Sequence, residues 1–270
     1  MSKITFLIFG DIVGKIGRQA LIKNLPDLKK RYKPDLIIAN AENLAHGRGI
    51  TPKSIQEMAD AGINVFTSGQ HVWDNQTGVR LLDDHAWSKR LIRPINVPPT
   101  RQGKGWTTIN IKNLNVTLLN LQGRLFMPPE SSSPFFSFER FWKEHQKDDP
   151  NTLLIIDFHA EATSEKLAFG NFVDGRASVI FGTHTHVPTA DLKVLPQGTA
   201  YISDVGMVGA LDSVIGFEKN SSIERFLNLT EAPYKLEEHG QAEINGVILS
   251  LDFKTKKYSK LHQIRKIVDI

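Results

Sequence analysis

The feature that most constrains this chain is a set of short apolar runs, several of which end in a side chain able to bind a metal. The runs lie at 4–9, 36–39, 64–67, 107–111, 116–120, 153–158, 178–181 and 200–202. They are too short for packed helices and rich in Ile, Val, Leu and Phe, so they predict buried strands. Asp11 follows the first run, Glu42 and Asn43 the second, Gln70 and His71 the third. His159 follows the run at 153–158, and His184 and His186 follow the run at 178–181. Taken singly, an Asp after a strand is often a turn former and a lone His a hydrogen-bonded structural residue. Chance would scatter such groups along both strand ends. In an open α/β sheet, ligands gather where the carboxyl ends of strands converge.

Between the runs lie segments with helical spacing, at 17–31, 52–61, 75–83, 134–146 and 162–172. The first carries Ala20, Leu21, Leu25 and Leu28 on one face. Thr51-Pro52 is a capping residue followed by Pro at the first helical position. Alternating strand and helix through the first third predicts parallel βαβ units. Segments 242–253 and 258–266 flank a turn at 254–257 and predict a C-terminal antiparallel hairpin. An exposed loop is expected at 128–133. We read one domain over 1–270.

The 270 residues contain no cysteine, which excludes disulfides and thiolate metal sites. Any metal must be held by His, carboxylate or amide, which suits Fe, Mn, Zn or Mg. The net charge of +4 fits a phosphate-bearing substrate but is no duplex-binding stripe. No stretch approaches a membrane span, and the start reads as a strand and not a signal peptide, so a cytoplasmic protein with no membrane partner is expected. The strongest local signal is His184-Thr185-His186. On an extended chain, side-chain direction repeats every two residues, so both imidazoles would face one way and share a metal's neighbourhood.

These residues resemble the calcineurin-like metallophosphoesterases: Gly10-Asp11, Glu42-Asn43, Gly69-Gln70-His71, His159, then Gly182 with His184 and His186. Longer words resemble one branch, the YmdB-like phosphodiesterases: GDIVG at 10–14, AENLAHG at 41–47, NLQGR at 120–124, DFHAEATSEK at 157–166 and GTHTHV at 182–187. Val13 stands where the broad superfamily has a His, an absence the branch shares. The resemblance implies a four-layer αββα sandwich of mixed sheets. It implies two transition-metal ions, iron first and manganese or zinc as alternatives. Asp11, Glu42, Asn43 and His186 would hold the first ion. Glu42, Gln70, His159 and His184 would hold the second, with Glu42 bridging. His71 would be the catalytic acid in hydrolysis of 2′,3′-cyclic nucleotides by a metal-bound hydroxide. RNA-derived ends are further substrates, and homo-oligomers are common. Gln70 replaces the family's Asn and carries its amide oxygen one methylene farther out. Either the backbone retreats to suit it or the second metal binds more weakly. A phosphomonoesterase, a nuclease-like enzyme or a weakly catalytic RNA-binding regulator on the same fold are the alternatives.

Overall fold

The computed structural model describes residues 3–128, 130–145, 152–228 and 235–270. In chain order the first half holds β1 (Lys3–Asp11), α1 (Gly14–Tyr32), β2 (Leu36–Asn40), α2 (Pro52–Ala61), β3 (Val65–Thr67), α3 (Gln76–Val79), β4 (Trp106–Ile111) and β5 (Leu114–Gln122). The second half holds α4 (Pro134–His145), β6 (Thr152–His159), α5 (Thr163–Val173), β7 (Val179–Thr183), β8 (Lys193–Val194), β9 (Ala200–Ile202), β10 (Val208–Ala210), α6 (Lys219–Asn228), β11 (Gln241–Asp252) and β12 (Lys257–Asp269).

Two six-stranded mixed sheets form. In the first, β1, β2 and β3 are parallel, as the βαβ reading predicts. β11 lies antiparallel to β1, and its start pairs with β10. β11 also pairs with β12, which completes the expected C-terminal hairpin. In the second sheet, β5, β6, β7 and β9 are parallel, with β4 and β8 antiparallel at the two edges.

Strand alternation distributes the apolar residues between two faces of each sheet. Ile4, Phe6, Ile8 and Ile38 of the first sheet meet Leu118, Ile155, Val179 and Phe181 of the second in a buried inter-sheet core. The opposite face of the first sheet, with Leu7, Phe9 and Ile37, is covered by Ile16, Leu21 and Leu25 of α1 and by Ile55 and Met58 of α2. The outer face of the second sheet packs Leu121, Ile156 and Phe158 against Phe138 and Phe141 of α4 and Phe169 of α5. The result is the four-layer αββα order. α2 starts as its sequence predicts, with a capping box between Thr51 and Ser54, and stops at Gly62 in the left-handed region.

Several boundaries differ from expectation. α1 begins at Gly14, three residues early, because the backbone N–H groups of Val13 and Gly14 are taken by the carbonyls of Val208 and Asn43. The segment at 75–83 divides into α3 and a 3₁₀ turn at Arg80–Leu82. Residue 146 of the fourth helical segment and residue 129 of the expected loop lie outside the described residues. Ser131 in that loop is buried and bonded to Gln122. Among the described residues, no helix is long and apolar enough to cross a membrane.

Phe169 is fully buried, stacked on Phe158 at 4.4 Å between ring centroids and edge-on to Phe138 at 5.9 Å. Phe169→Ala is expected to cost about 3–5 kcal/mol of folding stability, read from urea denaturation.

Candidate metal centre

The predicted residues converge at one rim where strands of both sheets end. Asp11 is the last residue of β1, and Glu42 and Asn43 follow β2. Gln70 and His71 open a 3₁₀ turn just beyond β3. His159 is the last residue of β6, and His184 and His186 follow β7. Each half of the rim therefore takes side chains from both sheets.

Four donors crowd together in the first group. His159 Nε2 lies 3.0 Å from Glu42 Oε1, 3.0 Å from Gln70 Oε1 and 3.1 Å from His184 Nδ1. Ligands about 2.1 Å from a central ion sit roughly 3.0 Å apart on an octahedron and roughly 3.4 Å apart on a tetrahedron. The observed spacings have that scale, and Glu42, His159 and His184 form a metal-compatible cluster with ligand atoms within 4.8 Å of one another. The longer Gln70 side chain reaches the group from its 3₁₀ turn, so the added methylene is accommodated.

The second group is Asp11, Asn43 and His186. Asp11 Oδ1 and Asn43 Oδ1 are buried with no hydrogen-bond partner among the described residues. His186 Nε2 is 3.9 Å from Asp11 Oδ1. His186 Nδ1 donates to the Ile215 carbonyl at 2.8 Å, which leaves a lone pair on Nε2. Buried oxygens without donors are costly unless something else satisfies them. A cation fits that deficit. Both groups therefore pass the test of donor chemistry.

The neighbours fix ring tautomers. Thr183 Oγ1 donates to Asp157 Oδ1 at 2.7 Å and accepts from His159 Nδ1 at 2.9 Å, so Nε2 is the ring nitrogen turned toward Glu42. His184 Nε2 donates to Glu161 Oε2 at 2.9 Å, leaving Nδ1 for the cluster. Such outer partners orient metal-binding imidazoles. In the protein alone, the buried charges compensate one another. Burial would raise the Glu42 carboxyl, but His159 beside it holds it well below the usual range. Burial pushes the Asp11 carboxyl up against the pull of His186 and His159. Burial would lower His159, yet Glu42, Asp11 and Asp157 push it up to about 9. Burial and the adjacent His159 hold His184 down to about 3, which keeps its lone pair free.

One expectation changes in its reason. His184 and His186 do not leave β7 on an extended chain. Both have positive φ, 100° and 66°. The turn is held from outside: the His184 N–H donates to Asp11 Oδ2, and the Thr185 N–H to Asp204 Oδ2, itself paired with buried Lys166 at 2.6 Å. Left-handed backbone at non-glycine residues costs about 1–3 kcal/mol and persists where surroundings impose it. The turn sends one imidazole to each donor group.

A cavity of about 380 Å³ opens over both groups, lined in part by Glu42, Asn43, His71, His184 and His186. Arg48 also lines it, with an apolar side made by Val214, Ile215, Phe217 and Phe226. Sequence reasoning missed these. Arg48 stands between Gly47 and Gly49, and that Gly-Arg-Gly word was the readable signal of the tight loop that their φ values of 77° and 75° show. His46 is exposed and is not among the cavity's lining residues. Arg124 lines a different pocket, and Arg176 pairs with Glu139 over Phe138 and Phe172.

Comparison with known proteins gives the family. The family model described as YmdB-like protein matches residues 7–264, and the chain belongs to that family. It is 42% identical over 258 residues to the 2′,3′-cyclic-nucleotide 2′-phosphodiesterase of Bacillus subtilis (strain 168), covering 96% of this chain and 95% of the relative. A Mycoplasma pneumoniae crystal structure described as a novel phosphatase superposes with a TM-score of 0.91 at 37% identity, covering 99% of this chain and 94% of that one. A hypothetical protein from Thermus thermophilus gives a TM-score of 0.89 at 34% identity, covering 98% of this chain and 99% of that one.

Thr183→Val removes the hydroxyl between His159 and Asp157 while keeping shape. It is expected to weaken metal binding by about 10- to 100-fold, measured by chelator competition. An unchanged affinity would show that the hydroxyl does not orient the ring.

Proposed function

We propose that this chain hydrolyses phosphodiesters, 2′,3′-cyclic nucleotides first among them, at a centre of two metal ions. The supporting observation is that residues of both donor groups, Glu42 and His184 of one and Asn43 and His186 of the other, line one cavity, in a chain 42% identical to a 2′,3′-cyclic-nucleotide 2′-phosphodiesterase. Asp11, Asn43 and His186 would hold one ion, and Gln70, His159 and His184 the other, with Glu42 shared. Iron is the metal the family resemblance implies, and imidazole, carboxylate and amide donors suit it as they suit manganese and zinc. When bound, such a pair neutralises phosphoryl charge and makes a nucleophile available at neutral pH.

The chain's own residues do the rest. Glu42 also accepts the His71 backbone N–H at 2.8 Å, which ties the proposed acid to the centre. His71 Nδ1 lies 2.8 Å from Asp74 Oδ2, which sets the ring and leaves Nε2 for the leaving oxygen. From there the ring would donate a proton to the departing ribose oxygen, which leaves as a hydroxyl. Arg48 is placed to meet non-bridging phosphate oxygens, and the apolar wall with the 72% exposed Phe226 offers a face for a base. A small-molecule nucleotide is the substrate class, and RNA-derived ends share its chemistry. Cytoplasmic location and homo-oligomeric assembly complete this reading.

His71→Ala should retain its metals by elemental analysis while turnover of 2′,3′-cyclic AMP falls by about 10²–10⁴. Near wild-type turnover in that variant would remove His71 from the acid role. Stripping the metals should abolish turnover of 2′,3′-cyclic AMP, and re-addition of iron, manganese or zinc should restore it. Side-by-side assay with 3′,5′-cyclic AMP and p-nitrophenyl phosphate separates phosphodiesterase from phosphomonoesterase; faster turnover of the monoester would overturn the assignment.

A further inference from the structure

A second cleft, of about 280 Å³, lies on the other side of His71. It is lined by Gln70 of the first donor group, by the proposed acid His71 that also lines the first cavity, and by Trp73, Arg101, Gln122 and Ser131. Nothing in the chemistry above uses it. Yet two of its lining residues each carry a buried polar atom without a partner among the described residues: Trp73 Nε1, a donor, and Gln122 Oε1, an acceptor.

Both side chains are held in place. The Gln122 amide Nε2 is 2.8 Å from Ser131 Oγ, and the Gln122 backbone is clamped from both sides by Asn96. Turning the amide over would leave its nitrogen unpaired instead, so one heteroatom remains open in either orientation. The Trp73 ring is covered by the Arg101 guanidinium, 5.3 Å from the ring centroid, and Arg101 is fixed by Glu130 at 2.8 Å. Buried groups with unmet hydrogen-bonding capacity ask for an occupant. An indole donor and an amide heteroatom, beside a cation–π pair, suit a planar ring with hydrogen-bonding edges.

We infer that this cleft is a subsite for a second nucleoside, so an oligonucleotide ending in a 2′,3′-cyclic phosphate is turned over more efficiently than the free cyclic mononucleotide. The inference rests on the phosphodiesterase reading. With His71 bordering both clefts, the terminal nucleotide fills the cavity over the donor groups and its neighbour lies against Trp73 and Gln122.

The test compares kcat/KM of the metal-loaded enzyme for adenosine 2′,3′-cyclic phosphate and for adenylyl-adenosine ending in the same cyclic phosphate. The dinucleotide is expected to be preferred by about tenfold or more, through a lower KM. Trp73→Phe and Gln122→Met, each with melting temperature monitored, should each reduce that preference severalfold. Equal kcat/KM for the two substrates overturns the subsite while leaving the phosphodiesterase reading intact. So does a preference that survives both substitutions. Failure to hydrolyse either substrate overturns the phosphodiesterase reading and the subsite with it.

Discussion

Uncompensated negative and lone-pair character, buried where two sheets end, governs the rest of this structure. Asp11 and Glu42 are almost completely removed from water, and imidazoles and amide oxygens crowd around them. Leaving such groups unpaired is expensive, and the fold answers only part of the demand. The His184 N–H serves one oxygen of Asp11, and the His71 N–H serves one oxygen of Glu42. His159 serves the other oxygen of Glu42, while Asp11 Oδ1 and Asn43 Oδ1 stay without a partner among the described residues. That arrangement makes little sense as a closed protein core and ready sense as a coordination site.

The architecture follows from where apolar residues fall. Each sheet is apolar on both faces, which requires a helix layer outside and the other sheet inside. Parallel strands place all their carboxyl ends at one rim. The donors could then be read from sequence because each comes immediately after an apolar run. Asp11, Glu42, Asn43, Gln70, His71, His159, His184 and His186 all meet there, and the terminal hairpin forms where the turn at 254–257 predicts it.

What sequence did not reveal depends on long-range contacts. The insertion of β11 beside β1 joins residues about as distant in the chain as Lys3 and Asp252. β10 is three residues long and offers no pattern to read. α6 presents Ile223, Phe226 and Leu227 largely exposed, so its periodicity marks no buried face. The turn carrying His184 and His186 is imposed by carboxylates from elsewhere, Asp11 and Asp204, and local spacing alone suggests an extended path. The open wall at Trp73 and Gln122 is invisible until hydrogen bonds are assigned atom by atom.

Because each donor group draws from both sheets, the gap between the rims of the two sheets works as a gauge. Its width is set by interdigitated side chains such as Ile8, Ile38, Ile155 and Phe181, some of them well away from any ion. Protein interiors resist compression, so bulk added or removed in that layer shifts one rim against the other. If ions fill the proposed centre, selectivity among radii would be written partly in the hydrocarbon between the sheets, and core substitutions that leave every proposed ligand intact would retune it.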